Sequence, residues 1–124
     1  MPYSYRIEKR PGLVISTARG QVTYAEIRDH QDQLLLDCDF DPAFNQLIDG
    51  SRTTALAISS EEARLIASHR IFSAQSRRAY VSPGPTVPGV GLLMAVYQNV
   101  GMISSGMRVF YDFPSAFDWL HMEA

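Results

Sequence analysis

The sequence predicts an α/β sandwich, a mostly parallel sheet that opens with an N-terminal β-hairpin and carries about four helices. Three observations predict it. Two runs rich in β-branched and aromatic residues flank Pro11-Gly12, the mark of a hairpin. Two Ser/Thr-x-x-Glu boxes, Thr23–Glu26 and Ser59–Glu62, start segments with apolar residues at helical spacing. After the hairpin, short apolar runs alternate with such segments, and strands that alternate with helices pair in parallel through right-handed crossovers.

Taken in order, Tyr5–Lys9 reads as the first strand and Leu13–Val22 as its hairpin partner. Thr23 opens a helix in which Tyr24, Ile27, Leu34 and Leu35 share one face. His30 falls at the edge of that stripe, the place of a half-buried side chain rather than of a ligand or base. Asp37–Pro42 forms an acidic turn and Phe44–Asp49 a short apolar strand. Gly50–Ile58 reads as a polar loop that leads to the second capping box. The helix opened there runs to about Ser68 or Phe72, with Leu65, Ile66 and His69 around it.

Arg78–Ser82 is the next strand, apolar enough to lie inside the sheet. Pro83, Pro85 and Pro88 stiffen the turn that follows, and Pro88 suits the first turn of a helix to about Val100. Gly101–Gly106 breaks that helix. Met107–Tyr111 forms a strand and Pro114–His121 a terminal helix turning Ala116, Phe117, Trp119 and Leu120 to the core. The order is β-β-α-β-α-β-α-β-α. With no repeat or linker, 1–124 reads as a single domain, long enough to fold without metal or disulfide staples.

Composition narrows the function classes. With 46% apolar and 19% charged residues the chain is an ordinary globular domain. Cys38 is the only cysteine, which excludes an intrachain disulfide and suits a reducing, cytoplasmic compartment. Met1–Arg10 is too polar for a secretory leader. Net charge is −2 and the isoelectric point about 5.8, so nucleic acid is not an expected partner. Most of the 13 acids lie at or before Glu62, and Arg64, Arg70, Arg77, Arg78 and Arg108 follow as a basic half expected to form a solvated rim.

Chemistry-bearing motifs are sparse. Asp37, Asp39 and Asp41 alternate as in a calcium loop, but the glycine and the distal glutamate are missing. His30, His69 and His121 lie on separate elements without metal-ligand spacing. Cys38 sits in an acidic turn without the positive neighbours that activate a thiol. The Gly84–Gly91 turn lacks a phosphate-binding fingerprint, and its prolines remove amide donors. No serine sits in a nucleophile elbow. The sequence therefore gives no catalytic residue, no metal ligand and no cofactor.

The most informative feature is the uncharged stretch between Arg78 and Arg108, with Val-Pro-Gly-Val-Gly-Leu-Leu-Met-Ala-Val-Tyr at 87–97. Its prolines and Gln98-Asn99 interrupt any membrane-spanning run. A helix apolar on nearly every side must instead be covered by the sheet and by something more. Leu92, Leu93, Val96, Tyr97, Val100 and Met102 are the residues expected to form either an interface or the wall of a ligand pocket.

The order of elements resembles the SpoIIAA-like fold of the STAS (anti-sigma-factor antagonist) superfamily, and in particular small bacterial STAS/Sec14-like domains. The best local match is Met107-Arg108-Val109-Phe110-Tyr111-Asp112 followed by Ser115-Ala116-Phe117-Asp118-Trp119-Leu120. The resemblance implies a non-enzymatic regulatory interaction module. In such proteins a strand ending in Asp leads to a phosphorylatable serine, which would carry over to Asp49 and to Ser59 or Ser60. Here Ile58-Ser59-Ser60-Glu61 departs from the family's Asp-Ser-Ser-Gly, so the phosphosite is weakened.

The leading expectation is accordingly a cytoplasmic homodimer built on the apolar helix. The alternative is a carrier of a small apolar, lipid-like ligand, with Phe72, Met102, Ile103 and Phe110 in the pocket and Arg70 or Arg77 on an anionic head group.

Overall fold

The computed structural model describes residues 3–84, 86–99 and 106–121, with Ala67 and residues 96–99 described through their backbone alone. Five strands form one sheet in the order β1 (Tyr3–Glu8), β2 (Leu13–Thr23), β3 (Asn45–Ala57), β4 (Arg78–Val81) and β5 (Met107–Phe110). β1 and β2 are antiparallel, with Tyr3 opposite Ala18 and Glu8 opposite Leu13. Every other pair is parallel. Because each parallel strand joins the sheet beside the last, right-handed crossovers place α1 (Tyr24–Leu36), α2 (Ser60–Ser68) and α3 (Val90–Asn99) together on one face. α4 (Phe113–Leu120) closes the other.

Both predicted capping boxes form. Thr23 Oγ1 accepts from the Glu26 amide at 3.3 Å while Glu26 Oε1 accepts from the Thr23 amide at 2.8 Å. Ser59 and Glu62 repeat the exchange at 3.1 and 2.9 Å. Each box satisfies amides that the helix itself leaves without partners. Asp112 caps α4 by accepting from the Ser115 amide at 2.8 Å, a bond that holds its carboxyl below the usual range.

The α4 face is closely packed. Leu13, Leu47, Ala79, Val81, Ala116 and Leu120 are all buried there, with Phe110 and Trp119 against them. Arg77 and Arg108 lie over the Trp119 ring at 6.0 and 5.4 Å, and Arg77 Nη1 donates to the Trp119 carbonyl at 3.0 Å. Ala18, Val22, Leu56, Ala63, Ile66, Val90 and Leu93 form the main cluster under the three helices.

Five expectations are corrected. Gly50–Ile58 is not a loop: β3 continues through it to Ala57, pairing with β2 past the end of β4. Two register shifts against β2, at Thr17/Arg19 and Gly20/Gln21, break the two-residue alternation, so the buried positions run Gly50, Thr53, Leu56. Asp49 therefore lies within a strand, accepting from the amide and hydroxyl of Ser51 at 3.0 and 2.6 Å, rather than at its end. Leu35 does not join the core but is 49% exposed, because Leu34 occupies the inward position; on α2 Ile66 is likewise buried and Leu65 is 45% exposed. His30 is buried, not half-buried, and the basic half is not all solvated rim, since Arg78 is buried as well.

Gly50 has a structural duty that follows from the long β3. A Cβ there would come within 2.6 Å of the Tyr80 ring, so the missing side chain makes room for Tyr80 on the helix-covered face.

Candidate functional site

On the helix-covered face three adjacent strands place polar side chains among apolar ones: Ser16 on β2, Gln46 and, farther along, Thr53 on β3, and Arg78 on β4. Gln46 stands directly opposite Arg78 in the β3–β4 register. Gln46 Nε2 donates to Ser16 Oγ at 3.0 Å, and Ser16 Oγ lies 3.0 Å from Nε2 of His30 on α1. The hydrogen bonds close if Ser16, having accepted from Gln46, donates to an unprotonated Nε2. A polar row thus crosses the sheet beneath an apolar helix layer.

Burial pushes the His30 pKa from 6.5 down to about 4, so the imidazole is neutral at pH 7. Tyr3 stacks on it at 4.3 Å between centroids, and Tyr5 tilts against it at 5.4 Å. The Tyr5 hydroxyl donates to Asp37 at 2.8 Å. Burial and then that bond raise its pKa to about 12.

Next to this row lies a cavity of about 90 Å³. Along β3 its wall runs from Gln46 through Ile48 and Thr53 to Leu56. Ala18, Tyr80 and Met107 complete the floor, while Ile27, Leu34, Ile66 and Leu93 come from the three helices. His30 and Arg78 both face it. His69, the C-cap of α2, bonds through Nδ1 to Gln31 Oε1 at 2.7 Å and so ties α2 to α1 across the wall. Arg78 is 9% exposed and packs over the Phe72 ring at 5.8 Å. Thr53 is 4% exposed, and its hydroxyl has no hydrogen-bond partner. A buried hydroxyl without a partner is costly, so this one is an acceptor and donor available to whatever enters.

The structure brings together only part of the predicted site. Leu93 is buried and lines the cavity, and Leu92 is half-buried against the same core. Val96 and Tyr97 lie on α3, but their side chains fall outside the described residues, as do Val100 and Met102 altogether. Phe72 does line the cavity; Phe110 instead faces α4, 5.6 Å from Trp119, and Ile103 lies outside the described residues.

Neither arginine expected on a head group is there. Arg70 is exposed and Arg77 lies against Trp119 on the opposite face, because residues next to each other on a strand point to opposite sides. Arg78, one position on, takes the inward place. Ser16, Gln46 and Arg78 interrupt apolar strand segments, which is the signal that could have marked them as buried polar groups; Thr53 lies in a segment that reads as a loop and carries no such signal.

Other candidates sit apart from the cavity. Ser59 and Ser60 are exposed at the start of α2, with the Ser59 hydroxyl engaged in its cap. Ligand-capable atoms of Asp37, Cys38 and Asp39 lie within 4.8 Å of one another. Those carboxylates are already used: Asp37 accepts from Tyr5 and from the Asp39 amide at 2.9 Å, and Asp39 pairs with Lys9 at 2.9 Å. Among the described residues no helix is long and apolar enough to cross a membrane.

Fold and site together define an α/β domain of SpoIIAA-like fold with a cavity under its three-helix layer. Among solved structures the chain is similar to an uncharacterized protein of the DUF3478 family with a SpoIIAA-like fold from Shewanella loihica PV-4. The two share 19% identity at a TM-score of 0.58, over 95% of this chain and 93% of that one. That likeness shows the fold. No family model matches the sequence, and no curated protein matches it.

Proposed function

We propose that the protein binds a small, largely apolar ligand in the cavity between its sheet and its three-helix layer. The observation that carries this reading is the wall itself: apolar side chains from every layer, interrupted by a few fixed polar groups, as in pockets that orient small molecules. A binding role fits this chemistry better than a hydrolytic one. The Ser16–His30 pair resembles a nucleophile with its base, but Ser16 is fully buried and is not part of the cavity wall. An imidazole with a pKa of about 4 is also a weak base at neutral pH.

Native mass spectrometry of gently purified protein tests the reading. A protomer carrying a few hundred extra daltons that are lost on denaturation is the expected result. A bare protomer whose melting temperature no apolar or amphiphilic compound raises would overturn it.

The homodimeric interaction module is the second reading. Leu36 is 87% exposed, and with Leu35 and Leu65 it puts apolar surface on two neighbouring helices. Leu93 of α3 is covered by its own chain, so these leucines are the described apolar surface that such an interface would use. The same spectrum decides it by subunit count.

A further inference from the structure

We propose that the cavity's ligand is a single-chain amphiphile with an anionic head, a carboxylate or its equivalent, held by Arg78. The inference rests on the ligand-binding reading and deepens it. Among the described lining residues Arg78 is the one with a permanent charge, and none is a carboxylate. Its charge does not sit at the surface. The side chain is 9% exposed, flanked by the Phe72 ring, with Gln46 opposite it in the neighbouring strand.

In such surroundings a guanidinium binds an anion more strongly than in water, because charge-assisted hydrogen bonds strengthen as the dielectric falls. The planar fork of donors matches a carboxylate in two-point fashion. Neutral His30 and the Gln46 side chain make that end of the cavity polar without adding opposing charge.

Beyond Arg78 the wall continues along β3 through Ile48 toward Leu56, between Tyr80 and Met107 on the floor and Ile66 and Leu93 above. Apart from the Thr53 hydroxyl this course is apolar, which suits a ligand body that is mostly hydrocarbon. The one permanently charged side chain among the described lining residues lies at β4 and the wall along β3 is mostly apolar, which gives the site a direction: head at β4, body along β3.

Octanoate and octanol differ in the head and share the chain, so titration calorimetry of the full chain with each at pH 7 isolates the charge. Octanoate is expected to bind about tenfold or more tightly than octanol. Arg78→Met is expected to abolish that preference, so that octanoate and octanol bind the variant with equal affinity. Arg108→Met, which removes a cation from the opposite face, is expected to leave it intact. If Arg78→Met does not fold, Arg78→Lys and the wild-type comparison still decide. The lysine keeps the charge but loses the two-point geometry, and should retain part of the preference.

Equal affinity for the two compounds in the wild type would overturn the anionic head while leaving the binding reading in place. A preference that survives Arg78→Met would overturn the role of Arg78. Failure of both compounds to bind would count against the ligand reading itself.

Discussion

The two faces of the sheet are built from the same strands to opposite effect. Toward α4, Leu13, Leu47, Ala79 and Val81 meet Ala116 and Leu120, and the polar atoms at its margin pair around Trp119. Toward α1, α2 and α3 the same strands present Ser16, Gln46, Arg78 and the unsatisfied Thr53 beside a cavity. Alternation along a strand makes this division possible, since neighbouring residues serve different faces. One face stabilises the domain, and the other keeps space and polarity that a purely structural core would have filled.

Truncations on the two faces should differ accordingly. Leu47→Ala, at a 1% exposed position facing α4, should cost about 4 kcal/mol in urea unfolding. Ile66→Ala, at a 5% exposed position on the cavity wall, should cost nearer to about 2 kcal/mol, because its side chain already lacks neighbours on one side. A reversed order would break the comparison.

The next largest effect belongs to His30. Its pKa is 6.5 when exposed and about 4 in the folded chain. Between those values the unfolded chain holds a proton that the folded chain does not. Stability is therefore complete above pH 6.5 and falls as pH drops toward 4, by about 3 kcal/mol. The lowered carboxyls of Asp37 and Asp112 act in a separate, more acidic window, because their contributions are present above an unfolded pKa of 3.8 and lost below it. Denaturation midpoints measured between pH 7 and 4 should show the slope, and His30→Gln should flatten it. A wild-type profile already flat there would contradict a buried neutral imidazole.

Thr53→Val keeps the shape and removes the unpaired hydroxyl. Thermal unfolding of the unliganded protein should show a gain of about 1 kcal/mol. A loss would mean that the hydroxyl is satisfied in solution. The smallest effect is expected farthest from both faces. Ser59→Ala, which removes the α2 cap, should cost roughly 0.5–1 kcal/mol with octanoate binding unchanged.

Much of the architecture was legible because local signals agreed with it. Both capping boxes, the Pro11-Gly12 turn and the apolar stripe of α4 each point to one structure. The far half of β3 was hidden because two bulges against β2 disrupt its alternation while Ser51, Arg52 and Thr54 stay exposed, so the segment reads as a polar loop.

The cavity was hidden for a different reason. His30, Gln46 and Arg78 are far apart in sequence, and none reads singly as part of a shared buried site. Only the pairing of β3 with β4 and the packing of α1 over β2 set them side by side. The same one-residue precision explains why neither Arg70 nor Arg77 reaches the cavity: Arg77 and Arg78 are adjacent, yet serve opposite faces.

The most direct test follows amide chemical shifts as octanoate is added to the isotopically labelled protein. Shifts should move at His30, Thr53, Arg78 and Leu93 around the cavity and stay still at Ala116 and Leu120 beneath α4. Shifts confined to the α4 face, or none at saturating octanoate, would contradict the assignment of the helix-covered face as the ligand site.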